Sequence, residues 1–478
     1  MNYRMICRVL GAILLCLAAL LLLPLIAGLC YGENVLNFAV SIAVAAAIGA
    51  LLRLVKPRDS RLFARDGFTI VGLGWILMAL IGALPFVISS SIPNYIDAVF
   101  ETVSGLTTTG ASILNDVEAM PRGDMFWRQF THWIGGMGVL VFIMAVLPGG
   151  NEHSMHIMRA EVPGPTVGKL VPRARETATI LYLIYIALTV AETVLLLCGG
   201  MSFYDALLHA FATAGTGGFS TRAASIAAFD SLYIELVTAT FMILFGVNFN
   251  LYFLLLIKRG KDVLKNEELH WYLGIVTAAV LAIALGISKL YGGFGIALRH
   301  SYFYVASIIS TTGFCTVDYT VWPEYCKWIL VLLMFTGACA GSTGGGLKIS
   351  RVAILAKTAR VEIKQTAHPQ SVSLVQLDGR RVSDGTIRAV GVYFAQYIFF
   401  LLLFTFIVSL DGYDIATNFT AALSCLSNIG PGMSLIGPTG NFDIFSHGVK
   451  AVLSLAMLIG RLEIYPILVL FSRHAWRV

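Results

Sequence analysis

Charge is what this chain has least of. Of its 478 residues, 13% are charged and 57% hydrophobic, which leaves too little polar surface for a soluble domain of this size. Informative cysteine spacing is missing as well. Cys7, Cys16, Cys30, Cys198, Cys315, Cys326, Cys339 and Cys425 form no C-x-x-C pair, so metal and redox chemistry find no support. Most of them lie in apolar stretches, where a buried free thiol is the ordinary outcome. Cys315 and Cys326 fall on one expected side of the membrane, yet a bond between them is disfavoured. No Ser/His/Asp, metal-ligand or nucleotide constellation stands out, so the chain reads as a non-enzyme with no covalently bound cofactor. Long polar segments are lacking too. The longest, about 148–177 and 356–387, are too short for an independent core and read as connectors or docking surfaces.

What the chain does have is apolar length. Windows of more than 18 apolar-dominated residues recur, long enough to cross a bilayer core of roughly 30 Å. Ten spans are expected, near 8–30, 36–55, 68–90, 124–147, 178–198, 231–257, 270–291, 323–355, 388–410 and 444–471. The first apolar run, Val9 to Leu29, is too long for the core of a signal peptide and reads as an anchor. Most of the 33 lysines and arginines, Lys348 and Arg351 among them, collect on one side. The positive-inside rule makes that side cytoplasmic and places both termini there. The opposite side gathers acids, including Asp97, Glu101, Glu192, Asp205 and Glu235, with a few bases such as Arg128, Arg299 and Lys450. An acidic outer mouth would concentrate cations, although ordinary exclusion of bases from translocated loops explains part of the bias. Trp127, Trp133, Trp322 and Trp328 suit an interfacial belt. His132 and His209 read as structural.

A short motif occurs four times: Thr107-Thr108-Thr109-Gly110, Thr216-Gly217-Gly218, Thr311-Thr312-Gly313 and Asn428-Ile429-Gly430. Aligned on the last glycine, the copies match backwards without a gap. The residue six before is small: Ser104, Ala212, Ser307 and Ser424. Thirteen before, it is polar: Asp97, Asp205, His300 and Thr417. A semi-polar helix precedes each motif, near 94–106, 203–214, 298–309 and 414–426. Such long repeats decide an architecture. Non-helical backbone at membrane depth survives only inside protein or around a wet cavity. Four span, half-helix, loop and span units around one axis satisfy that condition. Their loop carbonyls can then replace the hydration shell of a cation, with glycine permitting the required dihedrals. Hydroxyls of Thr108, Thr216 and Thr311, with the Asn428 amide, are expected to add oxygen ligands at one level. Close helix packing on small residues is the alternative use of such glycines.

The chain resembles the Trk/Ktr/HKT superfamily of potassium transporters, specifically the bacterial TrkH-type membrane subunits, over its whole length. The resemblance implies an all-α polytopic membrane protein with four M1–P–M2 pore repeats around a pseudo-fourfold axis, preceded by two N-terminal spanning helices. The expected divisions are 1–66 for those two helices, then repeats over 67–150, 151–262, 263–387 and 388–478. Like its relatives, the chain lacks the T-V-G-Y-G filter of tetrameric potassium channels. Sodium-preferring relatives often carry serine at the first filter position, and here it is Gly110, so potassium is the implied substrate. The potassium-binding set would be Thr108, Thr109, Gly110, Thr216, Gly217, Gly218, Thr311, Thr312, Gly313, Asn428, Ile429 and Gly430. The resemblance further implies the bacterial inner membrane, a homodimer and a TrkA-type nucleotide-binding cytoplasmic ring as partner, with nucleotide on the partner alone and no role for nucleic acid. Potassium symport coupled to sodium or protons is the alternative, with Arg461, Glu192 and Glu463 as the only relay candidates.

Two further features break local rules. Gly337, Gly341, Gly344, Gly345 and Gly346 crowd one span; each helical glycine costs about 1 kcal/mol relative to alanine, so a continuous helix is disfavoured. The stretch from Gly341 to Lys348 has the wrong spacing for a phosphate-binding loop, because Leu347 separates the last glycine from the lysine. A passive kink or an irregular intramembrane loop remains, and the resemblance implies a gating loop. Arg461 lies deep in the last span, where an arginine costs at least ~2.5 kcal/mol without polar surroundings. It either snorkels to the nearby surface or meets polar groups inside; the resemblance implies a place beside the gating loop, facing the cavity.

Overall fold

The computed structural model describes residues 1–56, 63–138, 174–371 and 373–472. Among them the only strands are the two of one short hairpin, β1 (Gln376–Leu377) with β2 (Arg380–Arg381), in a chain that is otherwise helices and loops. The N-terminal part comprises α1 (Tyr3–Leu20), α2 (Leu22–Cys30) and α3 (Leu36–Arg53). α1 and α3 touch through glycines: a Cβ on Gly11 would lie 2.6 Å from the Gly49 carbonyl oxygen. Small residues of this kind let apolar helices approach closely where lipid supplies no hydrophobic drive.

The first unit contains α4 (Ala64–Gly82), α5 (Leu84–Ile88), the half-helix α6 (Tyr95–Leu106) and α7 (Arg122–Gly136). The second contains α8 (Ala174–Cys198), the half-helix α9 (Phe203–Gly215), α10 (Leu232–Phe245) and α11 (Phe249–Leu256), followed by the short α12 (Gly260–Leu264). Next come α13 (Glu267–Ile287), the half-helix α14 (Phe294–Ile309), α15 (Glu324–Thr336) and α16 (Ile349–Ala367). The last unit contains α17 (Asp384–Val408), the half-helix α18 (Ile415–Ser427), α19 (His447–Arg461) and α20 (Tyr465–Phe471). The architecture is thus all-α, with four half-helices inserted between longer helices.

Each half-helix starts where its sequence provides a cap, with one exception. Asn94 accepts from the Ile96 and Asp97 amides, Ser202 from Asp205 and Asp414 from Thr417. Such caps satisfy amides that have no partner inside the helix and contribute about 1 kcal/mol each. α14 follows Gly293 without a side-chain cap. The half-helices are buried along nearly their whole second halves despite their Ser and Thr content, because protein surrounds them on all sides.

Six helices are long and apolar enough to cross a bilayer, or seven if the bent pair α10–α11 is one span, among the described residues. Two of the ten expected spans, 231–257 and 444–471, are broken where the sequence reads as continuous. The segment 231–257 breaks between α10 and α11 with a 90° bend. Asn248 caps the second piece, Phe249 donates its amide to Gly341 O (3.1 Å), and Cys339 donates to Gly246 O (3.0 Å). The break lets backbone groups of the glycine-rich stretch find partners. The segment 323–355 splits into α15 and α16 around an irregular stretch, as its glycines lead one to expect. The segment 444–471 breaks at Glu463 and Ile464, which take φ of 56° and 69°. The later part of 124–147 lies outside the described residues. The aromatic belt is corrected too. Trp127 and Trp322 are core residues, their indole N–H groups bonded to Gly82 O (2.8 Å) and the Tyr291 hydroxyl (3.0 Å), whereas Trp328 is exposed.

Candidate functional site

The four glycine motifs converge. In each, the residue two before the aligned glycine and the glycine itself are left-handed. The φ values are 57° and 78° at Thr108 and Gly110, 56° and 74° at Thr216 and Gly218, 61° and 88° at Thr311 and Gly313, and 56° and 102° at Asn428 and Gly430. Asparagine tolerates this region; a β-branched threonine does so only under strain of order 1–3 kcal/mol. Three strained threonines in one register are held by the same bond. The amide just before each glycine returns to the carbonyl six residues before it: Thr109 to Ser104 (2.8 Å), Gly217 to Ala212 (2.8 Å), Thr312 to Ser307 (2.9 Å) and Ile429 to Ser424 (3.0 Å). The hydroxyls of Ser307 and Ser424 add bonds to Phe314 O and Gly430 O, which gives the small residue at that position a structural reason.

The loops also meet head to tail. A Cβ on Gly110 would lie 1.9 Å from Gly217 O, one on Gly218 2.0 Å from Thr312 O, one on Gly313 2.2 Å from Ile429 O, and one on Gly430 2.8 Å from Thr109 O. First touches second, second third, third fourth, and fourth first, so the contacts close a ring. No side chain fits at any of the four junctions, which is why glycine recurs there. Around the ring, Thr108 Oγ1 and Asn428 Oδ1 are buried without a hydrogen-bond partner among the described residues. The Thr216 hydroxyl donates to Gly215 O, and the Thr311 hydroxyl accepts from the Gly345 amide at 2.8 Å. Thr109 and Thr312 instead pair sideways with the hydroxyls of Thr107 and Ser310.

The glycine-rich stretch lies against the half-helix ends that carry this ring. Gly345 packs so closely on Ser427 that a Cβ would come within 2.2 Å of its carbonyl oxygen, and Gly344 packs on Ser310 and Thr311. From Gly337 to Lys348 the chain is non-helical, with positive φ at Gly337, Gly341, Gly346 and Lys348. Arg461 reaches into it. One guanidinium nitrogen donates to Thr343 O (2.6 Å), the other to Gly135 O (2.6 Å) and Gly136 O (2.8 Å). A half-buried arginine is thereby matched to three carbonyls, the polar surroundings that a charge at membrane depth requires.

The sequence matches the TrkH family, described as a cation transport protein, over residues 34–291 and 292–476. The chain belongs to the TrkH family. It is 36% identical to the Trk system potassium uptake protein TrkH of Escherichia coli K12 over 485 residues, covering 100% of both chains. The TrkG protein of the same organism is 34% identical over 100% of this chain and 99% of its own. The crystal structure of the potassium transporter TrkH from Vibrio parahaemolyticus aligns with a TM-score of 0.90 at 32% identity, again covering 100% of both chains.

Within this TrkH-family chain, several side chains sit elsewhere than their sequence positions suggest. Lys348, counted with the cytoplasmic bases, is 1% exposed. Its ammonium donates to Gly344 O at 2.5 Å, inside the irregular stretch. Arg351 from the same group is buried against Glu463 (2.6 Å) and the Tyr393 ring. Of the acids assigned to an open mouth, Glu101, Glu192 and Glu235 are buried. Glu101 pairs with Arg128 and Glu235 with Arg299. Glu268 looks in sequence like an ordinary acid in the first turn of α13. It is buried and accepts from the Ala340 amide (2.6 Å) and the Ser350 amide (3.2 Å), clasping both ends of the irregular stretch. His132 joins adjacent units through Gly105 O (2.8 Å) and the Phe219 amide (3.3 Å). All eight cysteines are free.

Proposed function

We propose that this chain is the potassium-translocating membrane subunit of a Trk-type uptake system. The observation that carries the reading is the closed ring of four glycine loops, each with the same pair of left-handed residues. Such loops can present backbone carbonyls to a dehydrated cation, and the half-helices end towards them with partially negative C-termini. Thr108, Thr109, Gly110, Thr216, Gly217, Gly218, Thr311, Thr312, Gly313, Asn428, Ile429 and Gly430 then form one filter within one chain. The potassium named in the relatives' descriptions supports that ion as the cargo. Gly337–Gly346 and Arg461 form the gate, a positively charged barrier directly behind the ring. The subunit sits in the bacterial inner membrane with both termini cytoplasmic, works as a homodimer, and is controlled by a TrkA-type nucleotide-binding ring. Gly110→Ser provides the test. Its side chain would press on Gly217 O, so potassium over sodium uptake in proteoliposomes should fall on the order of tenfold. An unchanged ratio removes Gly110 from the filter.

One observation favours coupled symport as a second reading. Glu192 is fully buried in α8, beside Thr213 of the half-helix α9, and intramembrane carboxyls serve proton relays. Reversal potentials of Glu192→Gln under an imposed proton gradient separate the readings. A proton-dependent shift in the parent that disappears in the variant establishes proton coupling through Glu192, and no shift in either removes proton coupling.

A further inference from the structure

The residue two past each aligned glycine is pinned by the preceding unit. Phe442 donates its amide to Ser112 O (2.8 Å), Arg128 its guanidinium to Ser220 O (3.2 Å) and Tyr319 its hydroxyl to Gly432 O (2.5 Å), while Cys315 donates its amide to Ser225 Oγ (3.2 Å). The fourth unit thus holds the first loop, the first the second, the second the third, and the third the fourth. Only one of these braces is charged.

Arg128 is 2% exposed and its partner Glu101 fully buried. From α7 the guanidinium reaches both loops at the same register. Nε bonds Glu101 at 2.7 Å, one terminal nitrogen donates to Ser112 Oγ at 3.1 Å, and the other takes Ser220 O. Its carbon lies 3.5 Å from the centre of the Phe219 ring. Glu101 completes the set from α6 by accepting from Ser112 Oγ (2.9 Å) and the Ile113 amide (3.0 Å). A planar fork satisfies two acceptors at fixed separation, which an ammonium cannot do. One turn further along α7, His132 accepts from the Phe219 amide and lies against the same ring.

We infer that Arg128, with Glu101, is a specificity-determining positioning residue: it sets the separation of the first and second loops and thereby the size of the cation they accept. The inference rests on the filter reading above. Neither side chain need touch the ion. A shift of the Ser112 or Ser220 backbone would move the carbonyls two residues earlier, at Gly110 and Gly218.

The experiment compares Arg128→Lys, Glu101→Gln and Gly110→Ser as full-length purified protein in proteoliposomes. Potassium, rubidium and sodium uptake are measured at equal reconstituted amounts. Arg128→Lys and Glu101→Gln should each lower the potassium-to-sodium ratio on the order of tenfold, the scale of a lost positioning contact. A purely structural role would reduce yield or total flux and leave the ratios unchanged. Ratios altered in Gly110→Ser but unchanged in the two brace variants overturn the brace and leave the filter standing. Ratios unchanged in all three overturn both. If one brace variant cannot be purified, the other decides alone.

Discussion

At the scale of single residues, this protein tolerates what most folds avoid, and each exception is matched by fixed partners. Thr108, Thr216 and Thr311 are left-handed because a repeated amide-to-carbonyl bond and a crowded ring leave them no alternative. Arg461 is stable within the membrane interior because three carbonyls face it. Arg461→Ala leaves those carbonyls unmet at about 1–3 kcal/mol apiece. Basal potassium flux in proteoliposomes should rise several-fold, on the order of tenfold by the gate reading. Arg461→Lys, with one point of donation instead of a fork, should fall between. A second expectation concerns acid. The hydrogen bond from Lys450 holds the Asp443 carboxyl below its usual range, and bonding to Thr417 does the same for Asp414. A depressed carboxylate contributes stability that is complete above its unfolded pKa and disappears as pH falls through its folded one. Thermal stability should therefore fall below about pH 4, the ordinary carboxylate value. Asp443→Asn should flatten that slope.

Elements behave less simply than their composition implies. The apolar run from Ser231 to Ile257 carries no proline and only Gly246 as a weak point, so it reads as one helix. It bends by 90° because the glycine-rich stretch offers Gly341 O and the Cys339 amide as competing partners. That stretch was legible as non-helical from its glycines, yet what anchors it was not. Lys348 resembles a surface base and Glu268 a helix-start acid, and only folding places both inside it. Glu268→Ala would leave the Ala340 and Ser350 amides without their acceptor, a loss of about 1–3 kcal/mol for each buried donor. Faster hydrogen exchange across 337–350 and a raised basal flux are expected together. Deleting part of Gly337–Gly346 should raise flux further. Normal flux in both variants would separate this stretch from gating.

For the whole molecule, the ring closes only because four non-identical units each supply a glycine at the contact with the next. The long polar connectors are too short for a sensor domain, and the proposed function therefore places regulation on a separate cytoplasmic protein. Potassium flux measured with and without a purified TrkA-type ring, across ATP, ADP and NADH, should respond to nucleotide only when the ring is present. Nucleotide-dependent gating by this polypeptide alone would refute the two-protein arrangement.

Repetition and apolar length were enough to determine the membrane class, the four half-helices and the glycines that meet between them, because those properties are local or periodic. Asn94, Ser202 and Asp414 cap helices that their own sequence begins. The breaks in 231–257 and 444–471, the inward turn of Lys348 and the pairing of Arg128 with Glu101 were decided by tertiary structure. A charged side chain in a mostly apolar chain takes whichever partner the assembled fold brings within hydrogen-bond reach, and the partners here come from other helices. Burial then makes the choice binding, since an unpaired charge in that interior would cost several kcal/mol.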